Sequence, residues 1–399
     1  MQRVLESVRV VEVTEALAGP YCAMLLGDFG ADVVKVERRI TGDHARAWGP
    51  PFVQDESAYF LAANRNKRSL TLDYDHPQGR EVLEKLIAGA DIFLINQPSL
   101  DSLRRRGLDP GTLLEKYPRL IYCSISGYGQ QSSSRAGSPG YDIVAQAEAG
   151  VMSFTGEPHG EPVRYPVAIA DMTCGIYAAM GILAALLARE KSGRGQFLDM
   201  ALFDAQLSWL INIGSNWLNC GQPPERWGNA HPSIVPYEVF SGSDGRHFVM
   251  GVGTDALWRR LTTVLGTVQT MGADPRFATN AGRIEHRAEL LPALRAHFAQ
   301  RPASFWLEQL HTARIPSAPI QNVPEALADP QALERGLIVE IEHPLLGVAR
   351  SIATPVRMSE TPPSYRMPPP LLGEHTDSIL AEMGFTLDQI AEFRRDLVV

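Results

Sequence analysis

The chain is poor in the signals that announce the commoner chemistries. Its 399 residues hold four cysteines, Cys22, Cys123, Cys174 and Cys220, far apart and in no CxxC or zinc-ligand spacing. That argues against a disulfide framework and predicts free thiols in a cytoplasmic protein. Cys174 lies close to Asp171, but no neighbouring histidine would activate it, so it reads as a small core residue. The histidines do not cluster and HExxH is missing, so no metal is expected. There is no P-loop and no GxSxG. The first strand-to-helix turn, Thr14-Glu15-Ala16-Leu17-Ala18-Gly19-Pro20, is not GxGxxG, which removes the main support for a dinucleotide enzyme. A net charge of −8 argues against nucleic acid as a partner. The first nine residues lack the apolar stretch of a signal peptide. No apolar run reaches membrane-spanning length; residues 178–187 come nearest and read as a buried helix, so no membrane partner is expected.

What is present is a globular composition, 45% hydrophobic and 21% charged. The length exceeds one ordinary core, so two domains are expected. Apolar runs at 8–13, 33–36, 92–95, 120–125 and 196–200 alternate with helical patterns. That rhythm predicts an α/β, Rossmann-like large domain with a doubly wound sheet. Its span is 1–203, completed by about 346–399. A change of composition at Gly221-Gln222-Pro223-Pro224 marks a linker over 204–224. A hairpin pattern at 237–251 opens a smaller α+β domain over 225–330, followed by a return linker at 331–345. A terminal helix over 375–393 should pack back on the large domain.

Asp171 is the leading candidate residue. It follows Val167-Ala168-Ile169-Ala170 and precedes a long helical pattern from about Thr173 to Arg189. A carboxylate there reads first as an N-cap, favoured by unpaired N–H groups and the helix dipole. Its sharper reading is a carboxylate held ionised and aimed at a substrate. Basic clusters follow predicted strands at Lys35, Arg38 and Arg39, at Arg65, Lys67 and Arg68, and at Arg104, Arg105 and Arg106. The ends of parallel strands are where open α/β sheets bind ligands, and arginine suits phosphate. Solvated surface is the alternative reading of each cluster. Gly251-Val252-Gly253-Thr254-Asp255 is a turn before a helix, or a loop able to close over a reacting centre.

Across nearly its whole length the chain resembles the class III coenzyme A transferases, the family of formyl-CoA transferase and carnitine CoA transferase. The similarity is carried by Leu17-Ala18-Gly19-Pro20, by the run from Leu26 through Gly30 and Val33 to Arg38, and by Asn66-Lys67-Arg68-Ser69. Ser126-Gly127-Tyr128-Gly129, Gly140-Tyr141-Asp142, Asp171 and Pro369-Pro370-Leu371-Leu372-Gly373-Glu374-His375-Thr376 continue it. The resemblance implies that Asp171 is the catalytic nucleophile. It would attack the acyl-CoA thioester to give an acyl–aspartyl anhydride, then an aspartyl-CoA thioester that the acceptor carboxylate opens. Backbone N–H groups would hold the oxyanion.

For coenzyme A the resemblance implies contacts from Leu17, Ala18, Arg38, Leu72, Asp73, Tyr74, Asp75, Asn96, Gln97, Pro98, Arg105, Pro139, Gly140, Tyr141 and Asp142. The CoA thioester is a substrate, and no tightly bound cofactor is implied. Formyl-CoA transferase has a glutamine where this chain has Leu17, which argues against formyl or oxalyl specificity.

The segments Arg46-Ala47-Trp48-Gly49-Pro50-Pro51 and Arg226-Trp227-Gly228-Asn229-Ala230-His231-Pro232 resemble succinyl-CoA-dependent enzymes acting on citramalate, malate or hydroxymethylglutarate. Arg46, Trp48, Arg164, His231, Gly251 and Gly253 are the candidate substrate residues. A dicarboxylate needs a cationic or hydrogen-bonding partner for its unreacted end, and Arg46, Arg164 and His231 could supply one. Other acceptors of the family, including formate, oxalate, carnitine-type acids, mesaconate and itaconate, are alternatives. So is an α-methylacyl-CoA racemase, which has histidine where this chain has Tyr141; tyrosine is a poor base at neutral pH. A CoA-binding protein without catalysis is a third reading. The resemblance also implies a homodimer of interlocked rings, and a small carboxylic acid as second substrate.

Overall fold

Segments that are apolar on both faces are satisfied only inside a sheet covered on both sides. The apolar runs of the first 200 residues do become such strands. In the computed structural model, which describes residues 3–97 and 99–399, they supply five strands of a six-stranded sheet. Its strands are β1 (Arg9–Val13), β2 (Asp32–Glu37), β3 (Lys67–Thr71), β4 (Ile92–Ile95), β5 (Ile121–Ser126) and β6 (Phe197–Ala201). They lie in the order β3-β2-β1-β4-β5-β6, and every neighbouring pair is parallel. The order reverses between β1 and β4, so the crevice for a ligand opens at the carboxyl ends of these two strands.

Strand β3 was not expected. Its Lys67 and Arg68 read in the sequence as part of a ligand-binding cluster. In the fold, Lys67 is fully buried against Glu12 at 3.0 Å, and Arg68 pairs with Asp32 at 2.7 Å and with Glu382. Arg65 is likewise buried, 2.6 Å from Asp28. This basic cluster therefore ties strands and the C-terminal segment together instead of facing a ligand.

Two cores cover the sheet. One joins Val10, Val33, Leu94 and Cys123 to the helices Ala18–Asp28 and Ile169–Ser192. The other joins Val11, Val34, Phe93 and Tyr122 to Ile379, Leu380, Ile390 and Phe393. The last four come from two helices, Thr376–Glu382 and Leu387–Arg395, where one was expected. Gly384 (φ 86°) breaks the run, and Thr386 with Gln389 forms a capping box for the second helix.

The helix carrying Asp171 runs over Ile169–Ser192. At 24 residues with mean hydropathy 1.7 in its most apolar stretch, it is long and apolar enough to cross a membrane by length and composition. The shorter apolar stretch expected at 178–187 missed this. One of its faces (Ala170, Cys174, Ala178, Ile182, Ala185) is buried in the first core, while Ile176, Tyr177, Met180 and Leu187 are exposed.

The chain divides into two compact units. The first comprises Met1–Val151, Arg164–Gly221 and Pro330–Val399; the second comprises Met152–Val163 and Gln222–Asp329. The segment at 204–224, expected as a linker, carries the end of helix Leu202–Leu207 and the helix Ile211–Cys220, and belongs to the first unit as far as Gly221. The expected return linker at 331–345 also lies in the first unit and supplies strand Ile338–His343, paired antiparallel with Gly347–Ile352. The second unit has a three-stranded antiparallel sheet, Ser317–Pro319, His247–Gly251 and Tyr237–Ser241, over an aromatic core of Phe240, Phe248, Trp258, Phe298 and Trp306.

Candidate active site

At the carboxyl ends of β1, β4 and β5 the first unit opens a cleft of about 360 Å³, within the range of small-molecule sites. Leu17, Ala18, Arg38, Trp48, Asn96, Gln97, Pro139, Gly140, Tyr141 and Asp171 all line it. The remaining walls come from residues the sequence reading did not single out as contacts, chiefly Glu15, Ala16, His44, Ser126, Gly127 and Leu202.

The loop after β1 is built from below. Lys35, fully buried, lies 3.1 Å from Glu12 and 2.8 Å from Asp43, and its ammonium also donates to the Thr14 carbonyl. Burial alone would lower this ammonium, but Asp43, Glu12 and Glu37 raise it, so it stays charged. Lys67, sharing Glu12, is lowered to about 8 because burial outweighs its carboxylate partner. Asp43 accepts the N–H groups of Ala16 and Ala45, each at 2.9 Å. Asn96 brackets Glu15, accepting its N–H at 3.2 Å and donating to its carbonyl at 2.9 Å. These bonds hold Ala16 at φ 70°, a left-handed conformation uncommon outside glycine. They aim the start of helix Ala18–Asp28 at the cleft; its N-cap Leu17 has no side-chain capping bond.

Two close approaches shape the walls. A Cβ on Gly175 would sit 2.6 Å from the Ala18 carbonyl oxygen, so only glycine lets the Asp171 helix cross the first helix this tightly. A Cβ on Gly140 would sit 2.5 Å from the Gly127 Cα, so two cleft loops pack backbone on backbone.

Asp171 departs from its expected setting in two ways. The helix begins at Ile169, so Asp171 sits in the first turn and is not the N-cap. The capping is done by Asp142, whose carboxylate accepts the Ala170 N–H at 2.8 Å and the Gln146 side-chain amide at 2.7 Å. Asp142 therefore supports the helix start from behind and does not line the cleft. Nor is Asp171 held ionised by a lowered pKa. Burial, reinforced by the charge of Asp142, pushes its carboxyl up to about 7. Tyr59, half-buried, feels both carboxylates: its hydroxyl is pushed up to about 12 by burial and then by Asp171 and Asp142. Its ring stands edge-on to Trp48 with centroids 5.0 Å apart.

Several expected contacts are occupied elsewhere. Leu72 is buried in the second core, Asp73 caps its own turn at the Asp75 N–H, and Asp75 pairs with Arg106 at 2.6 Å. Tyr74 lines a small depression beside Arg38. Pro98 lies outside the described residues. Arg104 pairs with Asp101 and Arg106 with Asp75, whereas Arg105 is exposed and has no ion-pair partner among the described residues. Arg46, expected to hold a substrate carboxylate, is engaged by Glu37 at 2.8 Å, donates to the Pro370 carbonyl and stacks 3.7 Å over Phe60. Its guanidinium is consumed by the fold because Glu37 at the end of β2 is buried and needs a cation. Arg164 is exposed and donates to the Pro166 carbonyl.

His231, Gly251 and Gly253 belong to the second unit. There the His231 ring accepts the Ser233 N–H at 3.0 Å, and Gly251 ends its strand, donating to the Pro316 carbonyl. A Cβ on Gly253 would meet nothing within 4 Å. Among the described residues no cluster of three or more His, Cys, Asp or Glu is placed to hold a metal ion.

Residues 5–376 match the sequence profile described as CoA-transferase family III. The succinate–glutarate CoA-transferase of Agrobacterium fabrum is 42% identical over 385 residues, covering 95% of each chain. The succinyl-CoA–D-citramalate CoA-transferase of Chloroflexus aurantiacus is 32% identical over 399 residues, covering 100% of this chain and 98% of its own. The crystal structure of a CaiB/BaiF family protein from Brucella suis superposes with a TM-score of 0.85 at 40% identity, covering 96% of this chain and 100% of that one.

Proposed function

The chain belongs to CoA-transferase family III and is a CoA-transferase, and from that premise we propose that it moves coenzyme A from succinyl-CoA to a dicarboxylic acid through a covalent bond to Asp171. The glutarate-transferring relative is more similar than the citramalate one, so glutarate ranks ahead of citramalate and malate as acceptor. The observation that carries the mechanism is Asp171 itself. It lines the cleft together with Leu17 and Ala18 at the start of helix Ala18–Asp28, and it is desolvated enough to titrate at about 7.

A desolvated carboxylate is a stronger nucleophile than one in water. Attack on the thioester forms a bond from the Asp171 oxygen to the acyl carbon and expels CoA thiolate. The thiolate then attacks the Asp171 carbonyl carbon and releases succinate, leaving an aspartyl-CoA thioester. The acceptor carboxylate repeats the sequence in reverse. No step moves a proton, which fits a nucleophile with no basic partner among the described residues. Backbone N–H groups near Leu17 and Ala18, which line the same cleft as Asp171, would stabilise the oxyanions.

Arg38, Asn96, Gln97, Pro139, Gly140 and Tyr141 would hold the coenzyme, with Arg105 reaching a phosphate. Trp48 and Tyr59 would shape the acyl end. The three buried free cysteines suit a reducing, cytoplasmic setting. A second copy of the chain would cover the exposed apolar face of the Asp171 helix. The test is transfer from succinyl-CoA to a panel of acids, with hydroxylamine trapping and Asp171→Ala as control. Glutarate should be the preferred acceptor, and hydroxylamine should inactivate only when acyl-CoA is present. Transfer that survives the substitution would sink the mechanism.

A further inference from the structure

Glu15, Arg38 and His44, all on the cleft wall, form a closed triad. Arg38 lies 3.1 Å from Glu15, and its guanidinium also lies 3.0 Å from His44 Nε2. His44 Nδ1 is in turn 2.9 Å from Glu15. A guanidinium only donates, so Nε2 must accept from Arg38 and Nδ1–H must donate to Glu15. That assignment, made from the network, leaves the His44 ring neutral. Glu15 is the odd member: a carboxylate on the wall of a cleft that would receive a polyphosphate. Its own carboxyl is raised by burial, against the pull of Arg38 and His44. The charges of Asp43 and Lys35 also act on it, and Tyr74 feels both Glu15 and Arg38.

We propose that Glu15 and His44 are positioning residues that hold Arg38 ready and exchange it for a coenzyme A phosphate together with a proton. The proposal rests on the CoA reading of the cleft. When Arg38 turns its N–H groups to phosphate, the lone pair on His44 Nε2 loses its donor. The ring then takes a proton there from solvent, becomes imidazolium and stays on Glu15 through Nδ1–H. The carboxylate that would repel the ligand is neutralised by the proton that enters with it. Arg38 and His44 are about half exposed, and ion pairs so open to water are weak enough for a dianionic phosphate to displace. Glu15 thus positions Arg38 until the phosphate arrives.

The experiment is calorimetric titration of free CoA into the full chain carrying Asp171→Asn, which removes the cleft carboxyl that titrates at about 7. At pH 8 the ligand phosphate is already ionised. Titrations in two buffers of different ionisation heat then read the protons taken up. Net proton uptake on binding is expected, falling towards zero when His44→Gln is added. Glu15→Gln in the otherwise native enzyme should lower KM for the thioester by about fivefold, the change falling on KM and not on kcat. Uptake that persists in His44→Gln, or a thioester KM that rises in Glu15→Gln, overturns the proposal while leaving the CoA reading intact. Failure of CoA to bind any of these proteins overturns both.

Discussion

At the scale of the residue, Asp171 governs both activity and stability through one property, its raised pKa of about 7. An ionised nucleophile is required, so the acid limb of kcat/KM for the thioester should have its midpoint near 7. A limb near pH 4, where an ordinary aspartate titrates, would contradict this. The same shift carries a stability consequence. The folded-state pKa lies above the ordinary value of 3.8, so the folded protein binds the extra proton between these two values. Stability conferred by that proton is present at low pH, declines as pH rises through the window, and is gone above about 7. Asp171→Asn should therefore stabilise the protein at pH 8 by about 1–3 kcal/mol, discounted for partial exposure, and do little at pH 4. Thermal melts across that range read the difference. A destabilised Asn variant at pH 8 would show that the carboxylate is instead held ionised, as the sequence alone had suggested.

At the scale of the element, the cleft depends on how closely two helices cross. The Cβ of Gly175→Ala would meet the Ala18 carbonyl, part of a backbone that cannot rotate away. Alanine has the higher helix propensity by about 1 kcal/mol, but overpacking against backbone costs about 1–3 kcal/mol, so a net loss is expected. Gly181→Ala, in the same helix, would meet only the tip of the Leu198 side chain and serves as the control that keeps the propensity gain. Urea unfolding midpoints should fall for Gly175→Ala and not for Gly181→Ala; equal midpoints would refute the close crossing.

The sequence showed the helix and the two apolar strands beneath it because their signals are local. It did not show β3, whose Lys67, Arg68 and Ser69 look like surface until their partners Glu12, Asp32 and Glu37 arrive from distant positions. The cap from Asp142, 28 residues before Ala170, was hidden for the same reason. So was the engagement of Arg46 by Glu37, which removed a candidate carboxylate binder. Cleft residues that lie in family motifs, such as Leu17 and Gly140, were legible, whereas Glu15 and His44 acquire meaning only from each other.

At the scale of the whole molecule, the Asp171 helix has a second face to account for. Ile176, Met180 and Leu187 follow helical spacing and are 47%, 57% and 66% exposed. The helix Ile211–Cys220 in the same unit has no buried residue and exposes Ile211, Trp217 and Leu218. Burying one such side chain contributes about 1.5–3 kcal/mol, so leaving these in water is costly, and contiguous apolar faces of this kind mark contact surfaces. Two occupants fit the chemistry, a lipid bilayer and a second copy of the chain. A bilayer would have to take in Asp171 at one end of the helix and Arg189, buried against Asp91 at 2.9 Å, at the other. Its opposite face is already committed to the sheet through Ala170, Cys174, Ala178 and Ile182. A second copy requires neither concession. Sedimentation of the full chain should give a dimer at micromolar concentration, Met180→Glu with Leu187→Glu should shift it towards monomer, and lipid vesicles should not float it. An active wild-type monomer, or flotation with vesicles, would transfer this face to another partner.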